Sequence, residues 1–246
     1  MMDQDIQHIA REINKCNQRG GRMLSLVDLI EAGTLTLDVA AYLAARVAEQ
    51  KSFLVGAMPG GAGKTTLMGA LLACVPPGCE LIPTENTILL NEAPEYDANH
   101  PRCYVCHEIG SGIYYAYLWD QGVRAFCRLH SLGHARAGNL HADTHEQCRE
   151  QLCDDNRVPE SDFNALHLLI FLGVSYGWKG VHRQVDTIWE SDGMHPHQLV
   201  YSMQDRKTRL CQTDEKFQRV RQILETLLRQ KNRTIEDFRE SWLQLL

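Results

Sequence analysis

Apolar positions along the chain follow two periods, and their alternation predicts most of the elements. Ser25-Leu26-Val27-Asp28 has the form of a capping box, and the helix it opens, LVDLIEA, stops at Gly33. Thr36 can cap a second helix, LDVAAYLAARVAEQ, with Leu37, Ala40, Ala44 and Val47 on one face. The run around Phe53-Leu54-Val55 is short and continuously apolar, as expected of a strand buried on both faces, and LMGALLACV has the composition of a following helix. Pro76-Pro77-Gly78 breaks the chain before a second strand, ELIPTENTILL, ending near Glu85. NEAPEYDANHP reads as loop, RCYVCHEI as a third strand, GSG as a turn and IYYAYLW as a fourth strand. A helix VRAFCRLHSL, a short strand ARAGNLHA, a helix capped by Asp143 or Thr144 and a buried strand ALHLLIFLGVSY follow. HRQVDTIWE and QLVYSM flank Ser191-Asp192-Gly193 as a hairpin whose loop is lengthened by His195-Pro196.

Two helices close the chain. Phe217, Val220, Leu224 and Leu227 form the apolar face of the first; Thr234 with Asp237 caps the second, which carries Phe238, Trp242 and Leu245. The first twenty residues are polar and give no clear element. Strands alternating with helices imply an α/β fold with a mostly parallel sheet flanked by helices. The expected organisation is an N-terminal helical segment over 1–50, a core over 51–205 and a C-terminal helical appendage over 206–246, covering an edge of the sheet.

The chemistry concentrates in residues 51–66, KSFLVGAMPGGAGKTT. Gly60, Gly61 and Gly63 allow successive backbone N–H groups to turn inward around Ala62, and the following helix directs its partial positive charge at the same point. Lys64 would hold β and γ phosphates, Thr65 would place its hydroxyl on Mg²⁺, and Thr66 offers a second hydroxyl. Met58 stands where the pattern G-x-x-x-x-G-K-[ST] begins with glycine. A simple strand-to-helix turn would have no need of Lys-Thr-Thr, so the segment reads as a phosphate-binding loop for a nucleotide.

With 246 residues, 44% of them hydrophobic, the chain can bury a sizeable core. A formal charge of -6 offers no long-range attraction to nucleic acid, which is not an expected partner. No apolar run is long enough to span a bilayer and no export signal is evident, so a cytoplasmic protein is expected. The nine cysteines then read as reduced thiols. Cys103-Tyr104-Val105-Cys106-His107 matches a haem-attachment pattern but alternates like a strand. A zinc site from Cys103, Cys106 and His107 with Cys127, Cys148 or Cys153 has no second C-x-x-C pair to complete it.

The order of motifs over about residues 25–195 resembles the ATPases that power type II secretion, type IV pilus assembly and type IV secretion. Gly33-Thr34-Leu35-Thr36 through Tyr42-Leu43 is similar to the helix start that precedes the loop in that family. MPGGAGKTT answers its GPTGSGKTT, Pro83-Thr84-Glu85-Asn86 its acidic box, and Gly133-His134 with Asn139-Leu140-His141-Ala142-Asp143 its histidine box. Too few residues precede the loop for the family's separate N-terminal domain, so the resemblance is to the motor domain alone. The family's Walker B strand ends in Gly-Glu, which is absent here; Glu108, ending CYVCHEI, and Asp120, ending IYYAYLWD, compete for that place.

The resemblance implies a P-loop NTPase fold of the RecA-like type and Mg²⁺-dependent ATP hydrolysis. Glu85 with Asp120 or Glu108 would orient water or the ion, and His134 and His141 would report the terminal phosphate. It further implies a homo-oligomer, a hexameric ring, working on a membrane platform protein at the inner face of the membrane. Arg124 and Arg136 are weak candidates for charge stabilisation across subunits. Two rival readings remain: a nucleotide-binding regulatory module with little or no turnover, and a small-molecule kinase, for which no arginine-rich lid is evident.

Overall fold

The computed structural model describes residues 2–17, 20–84, 90–112, 114–178, 180–205, 207–210, 214–230 and 234–245. Three helices come first: α1 (Met2–Lys15), α2 (Leu26–Glu31) and α3 (Leu37–Ala48). Strand β1 (Phe53–Gly56) leads into α4 (Lys64–Leu72), then β2 (Glu80–Pro83), β3 (Arg102–Ile109) and β4 (Tyr117–Leu118). Next are α5 (Gln121–Arg128), a 3-10 turn (Leu129–Leu132), β5 (Ala135–Leu140), and α6 (His145–Arg149), which continues as a π turn (Glu150–Asp155). Then α7 (Glu160–Asn164), β6 (Leu168–Gly177), β7 (Gly180–Glu190), β8 (Gln198–Ser202), β9 (Lys207–Thr208), α8 (Glu215–Leu228) and α9 (Ile235–Leu245) complete the chain.

Among the described residues nine strands form one sheet in the order β2-β3-β5-β1-β6-β7-β8-β9, with β4 also on β3. Pairing is parallel from β2 through β6 and antiparallel from β6 to β9. The parallel strands lie between two apolar layers, so alternate residues of one strand enter different cores. Phe53 and Val55 face the layer of α1, α2, α3, α4, α8 and α9, while Leu54 faces the layer containing Phe126, Cys148, Leu152 and Phe163. This two-sided burial is why β1 and β6 read as unbroken apolar runs.

The polar N-terminus hides an amphipathic helix: Ile6, Ile9 and Ile13 are buried at three- and four-residue spacing. The strand expected over IYYAYLW shortens to Tyr117–Leu118. Its place beside β3 is limited because β2 already pairs as far as Pro83↔Val105, and β4 adds only Glu108↔Tyr117 and Ile109↔Leu118. The closing helices join the larger core rather than a sheet edge: α8 packs on α3 and α9 on α1. No helix among the described residues is long and apolar enough to cross a membrane.

Two buried arginines tie helix ends to this frame. Arg239 of α9 is fully buried; it donates to the carbonyls of Ala73, Val75 and Pro76 at the end of α4 and forms a bidentate pair with Asp5 of α1 at 2.8 and 3.0 Å. A cation there opposes the negative end of the α4 dipole. Arg136 of β5, also buried, donates to Cys127 O (2.7 Å), Ala165 O (2.6 Å) and Ser52 Oγ (3.2 Å), and burial pulls its pKa down to about 10. It therefore cannot reach across to another subunit, and Arg124 is engaged by Asp120 and the Asn156 carbonyl.

Arg239→Met should lower the urea midpoint by the equivalent of about 3–5 kcal/mol, because Asp5 and three carbonyls lose their donor together; Asp5→Asn should cost less. His197 is buried, with Nε2 bonded to Leu166 O and Nδ1 without a partner among the described residues, and burial depresses its pKa to about 4. Its folded pKa lies below the unfolded value of 6.5, so the contribution is present above that pH and lost as pH falls toward 4. The loss is on the order of 3 kcal/mol. Urea midpoints between pH 7 and 4 should fall less steeply for His197→Gln than for the wild type.

Candidate functional site

At the C-terminal end of β1 the backbone is squeezed. A Cβ on Gly56 would stand 2.5 Å from the Ala142 carbonyl and 2.6 Å from Phe171 Cδ1, so only glycine lets the chain pass between β5 and β6. The loop that follows turns back on itself through Ala62 N–H to Pro59 O (3.3 Å), with Gly61 (φ 83°) and Gly63 (φ 99°) in the left-handed region. Gly63 is the N-cap of α4, whose first residue is Lys64.

Met58 is absent from the non-glycine residues with positive φ, so a side chain is accommodated at the place where the motif has its first glycine. Its N–H donates to Asp143 Oδ1 at 2.7 Å. Asp143 is free to do this because Thr144 is the helix cap, accepting from Gln147 N. The loop is therefore fastened to the segment after β5.

Lys64 is buried although charged. Its Nζ donates to Ala57 O (3.1 Å), contacts His141 Nδ1 (3.3 Å) and pairs with Glu108 Oε2 (3.5 Å). Glu108 lies one residue before the end of β3, which is separated from β1 by β5, and its side chain is only 7% exposed. Desolvation holds the Glu108 carboxyl above the usual carboxylate range and the Lys64 ammonium below its ordinary value, while the attraction between them offsets part of both shifts. Among the described residues Glu108 Oε1 has no hydrogen-bond partner; His141 Nε2, at 3.9 Å, is too far to supply one. Behind it Asn139 donates to the His107 carbonyl at 2.8 Å, and its Oδ1 has no partner among the described residues.

The sequence-predicted residues thus divide. Gly60, Gly61, Ala62, Gly63, Lys64, Thr65 and Thr66 form the loop and first helical turn, and Glu108 and His141 stand against Lys64. Thr65 and Thr66 are half-buried in that turn. Glu85 lies outside the described residues. Asp120 does not join the site: its side chain is 65% exposed and held by Arg124 at 2.5 Å, beyond β4. Its predicted placement rested on the long strand that shortens to Tyr117–Leu118.

His134 is likewise elsewhere. It precedes β5 whereas His141 follows it, so the six-residue strand keeps them about 20 Å apart. His134 bonds to Pro94 O and packs against Tyr96 and Tyr104. In β3 the Cys103 and Cys106 side chains enter opposite apolar layers, so the C-x-x-C-H pattern cannot close on one ion. Among the described residues no group of three or more His, Cys, Asp or Glu side chains is gathered as for a metal.

Sequence reasoning missed three participants. Asn139 and Asp143 were visible only as parts of a motif, Asp143 also as a candidate helix cap, and Arg183 not at all. Arg183 of β7 donates from Nε to Gly61 O at 2.8 Å, across 122 positions of sequence. No local pattern announces a contact made by sheet topology.

No family model matches the chain, and no curated protein matches it. Among solved structures it is similar to the VirB11 ATPase from the Brucella suis type IV secretion system, solved in complex with sulphate. The identity is 20% and the TM-score 0.43, over 67% of this chain and 54% of that one. This chain thus spans about half the length of that structure, and at this level of overlap residue roles do not transfer.

Lys64→Met should leave Glu108 as a buried carboxyl with its pKa raised further. A raised folded pKa gives stability that is complete below the unfolded carboxylate value and lost as pH rises through the folded one. Urea midpoints of the variant should therefore approach wild type near pH 4 and fall short by about 3 kcal/mol near pH 8. In Lys64→Met/Glu108→Gln this pH dependence should be largely removed.

Proposed function

We propose that the chain binds MgATP at the Ala57–Thr66 loop and hydrolyses it, as an NTPase domain of the kind that drives secretion or pilus assembly. The observation that carries this reading is the buried Lys64 ammonium at the first turn of α4, under two left-handed glycines and opposite the Glu108 carboxylate. A buried acid with one unpartnered oxygen, facing the cation at a helix N-terminus, fits a site completed by a phosphate and its water.

In this reading the loop N–H groups and Lys64 hold the β and γ phosphates. Mg²⁺, bound through the Thr65 hydroxyl, would neutralise charge on the phosphate oxygens. Glu108 accepts a hydrogen bond from the attacking water and orients it. The raised pKa makes this carboxyl a better proton acceptor than a free one, provided Lys64 keeps it ionised. His141, touching both Lys64 and the Met58 carbonyl, is positioned to respond when a phosphate draws the lysine away. Glu85 retains the role the motif order implies for it. A ring assembly and a membrane platform protein as its partner rest on that motif order.

The alternative is a nucleotide-binding regulatory module with little or no turnover. One observation favours it: Lys64 already satisfies its charge with Glu108, so nucleotide must compete with an internal carboxylate. Steady-state phosphate release with MgATP, alongside equilibrium binding, separates the two. For the hydrolase, Glu108→Gln should retain nucleotide binding and lose about 10²-fold or more in kcat, and Lys64→Ala should lose binding. Binding by wild type with phosphate release no faster than in Glu108→Gln would favour the regulatory module. No binding by the wild type would end both readings.

A further inference from the structure

Strand β6 continues beyond the level of Gly56, which it pairs at Phe171, to Gly177, so the β6–β7 hairpin projects about 20 Å past the loop edge of the sheet. On its return, β7 brings Arg183 opposite Val174, and two residues later Val185 N–H bonds to the Thr34 carbonyl at 2.9 Å. The strand is thereby pinned on both sides as it passes the loop. Arg183 is exposed, yet it lies across the loop's two left-handed glycines: Nε donates to Gly61 O at 2.8 Å, and Cδ stands 3.5 Å from where a Gly63 Cβ would be. Its terminal amino groups have no hydrogen-bond or ion-pair partner among the described residues.

This is an unusual use of an arginine. The other cation of the loop, Lys64, is drawn toward Glu108 and His141 on the β3–β5 side, which leaves Arg183 as the guanidinium on the β6–β7 side. A single bond from Nε fixes the stem and leaves the planar fork of N–H donors available, and that fork matches two oxygens of a phosphate.

We propose that Arg183 is a phosphate ligand supplied by the same chain, which closes on the terminal phosphates of a bound nucleoside triphosphate from the side opposite Lys64. The assignment rests on the nucleotide-binding reading of the loop. Arg183 holds the loop through the Gly61 carbonyl before nucleotide arrives. When the phosphates enter, its amino groups take their oxygens, so the β7 strand senses whether the terminal phosphate is present. A lysine at this position would keep the charge and lose the fork.

The test is calorimetric binding of a non-hydrolysable ATP analogue, ADP and AMP, each with Mg²⁺, to the wild type, Arg183→Ala and Arg183→Lys, with thermal midpoints of each protein alone. Arg183→Ala should weaken the triphosphate analogue about tenfold or more, ADP less, and AMP hardly at all. Arg183→Lys should recover part of the loss, and the midpoints without nucleotide should agree. Unchanged affinities in Arg183→Ala would overturn the assignment while leaving nucleotide binding intact. An equal loss for all three nucleotides with a lowered midpoint would also overturn it, marking a structural strap. Failure of the wild type to bind the analogue would instead remove the nucleotide reading on which the assignment depends.

Discussion

The buried pair of Lys64 and Glu108 sets the terms for everything around it. An ammonium and a carboxylate removed from water each incur a desolvation penalty that their attraction repays only when geometry and further hydrogen bonds are good. Here the lysine finds the Ala57 carbonyl and the His141 ring, but among the described residues one carboxylate oxygen has no partner. The arrangement is therefore held by its surroundings. β3 must bring Glu108 to its C-terminal end, β5 must deliver His141, and the loop between β1 and α4 must curl over the lysine without admitting a side chain at Gly56.

A parallel sheet accomplishes this because all its strand ends of one sense fall on the same edge. The C-terminal ends of β1, β3 and β5 meet there, which brings residues 64, 108 and 141 together from three separate parts of the chain. The opposite edge is braced by Arg136, which gathers Ser52 and the ends of α5 and α7. Arg239 does the same for the far end of α4, connecting it to the first and last helices. The helix that presents its N-terminus to the loop is thus fixed at its other end by a buried cation, and its direction does not depend on the loop itself.

Hydrolysis asks more of such a site than binding does. A binding loop needs only donors and a cation, whereas turnover needs a base aimed at a water that becomes reactive only when phosphate is in place. Under the proposed function, the buried carboxylate paired with the loop lysine is where these two requirements would meet. In that reading a phosphate that drew Lys64 away would also alter the environment of Glu108, coupling base strength to occupancy through one contact.

The loop, the two helices before it and the hairpin of β7 and β8 were legible in the sequence because each is specified by neighbours within a few residues. Glycines permit positive φ, Ser25 and Thr36 cap, and β-branched runs extend. The largely parallel order of strands followed from their alternation with helices. Choosing between Glu108 and Asp120 was beyond reach, since both end apolar runs and only strand pairing decides which run becomes a full strand beside β5. His134 and His141 looked equivalent in the motif, yet they sit at opposite ends of one strand. The helix at the N-terminus was masked by its polar face. Local sequence determined which segments could be strand, helix or glycine-rich turn; tertiary structure decided which acid, which histidine and which distant arginine met at the loop. Those contacts depend on sheet order and register, which are set by the packing of two apolar layers across the whole chain and not by any short stretch of it.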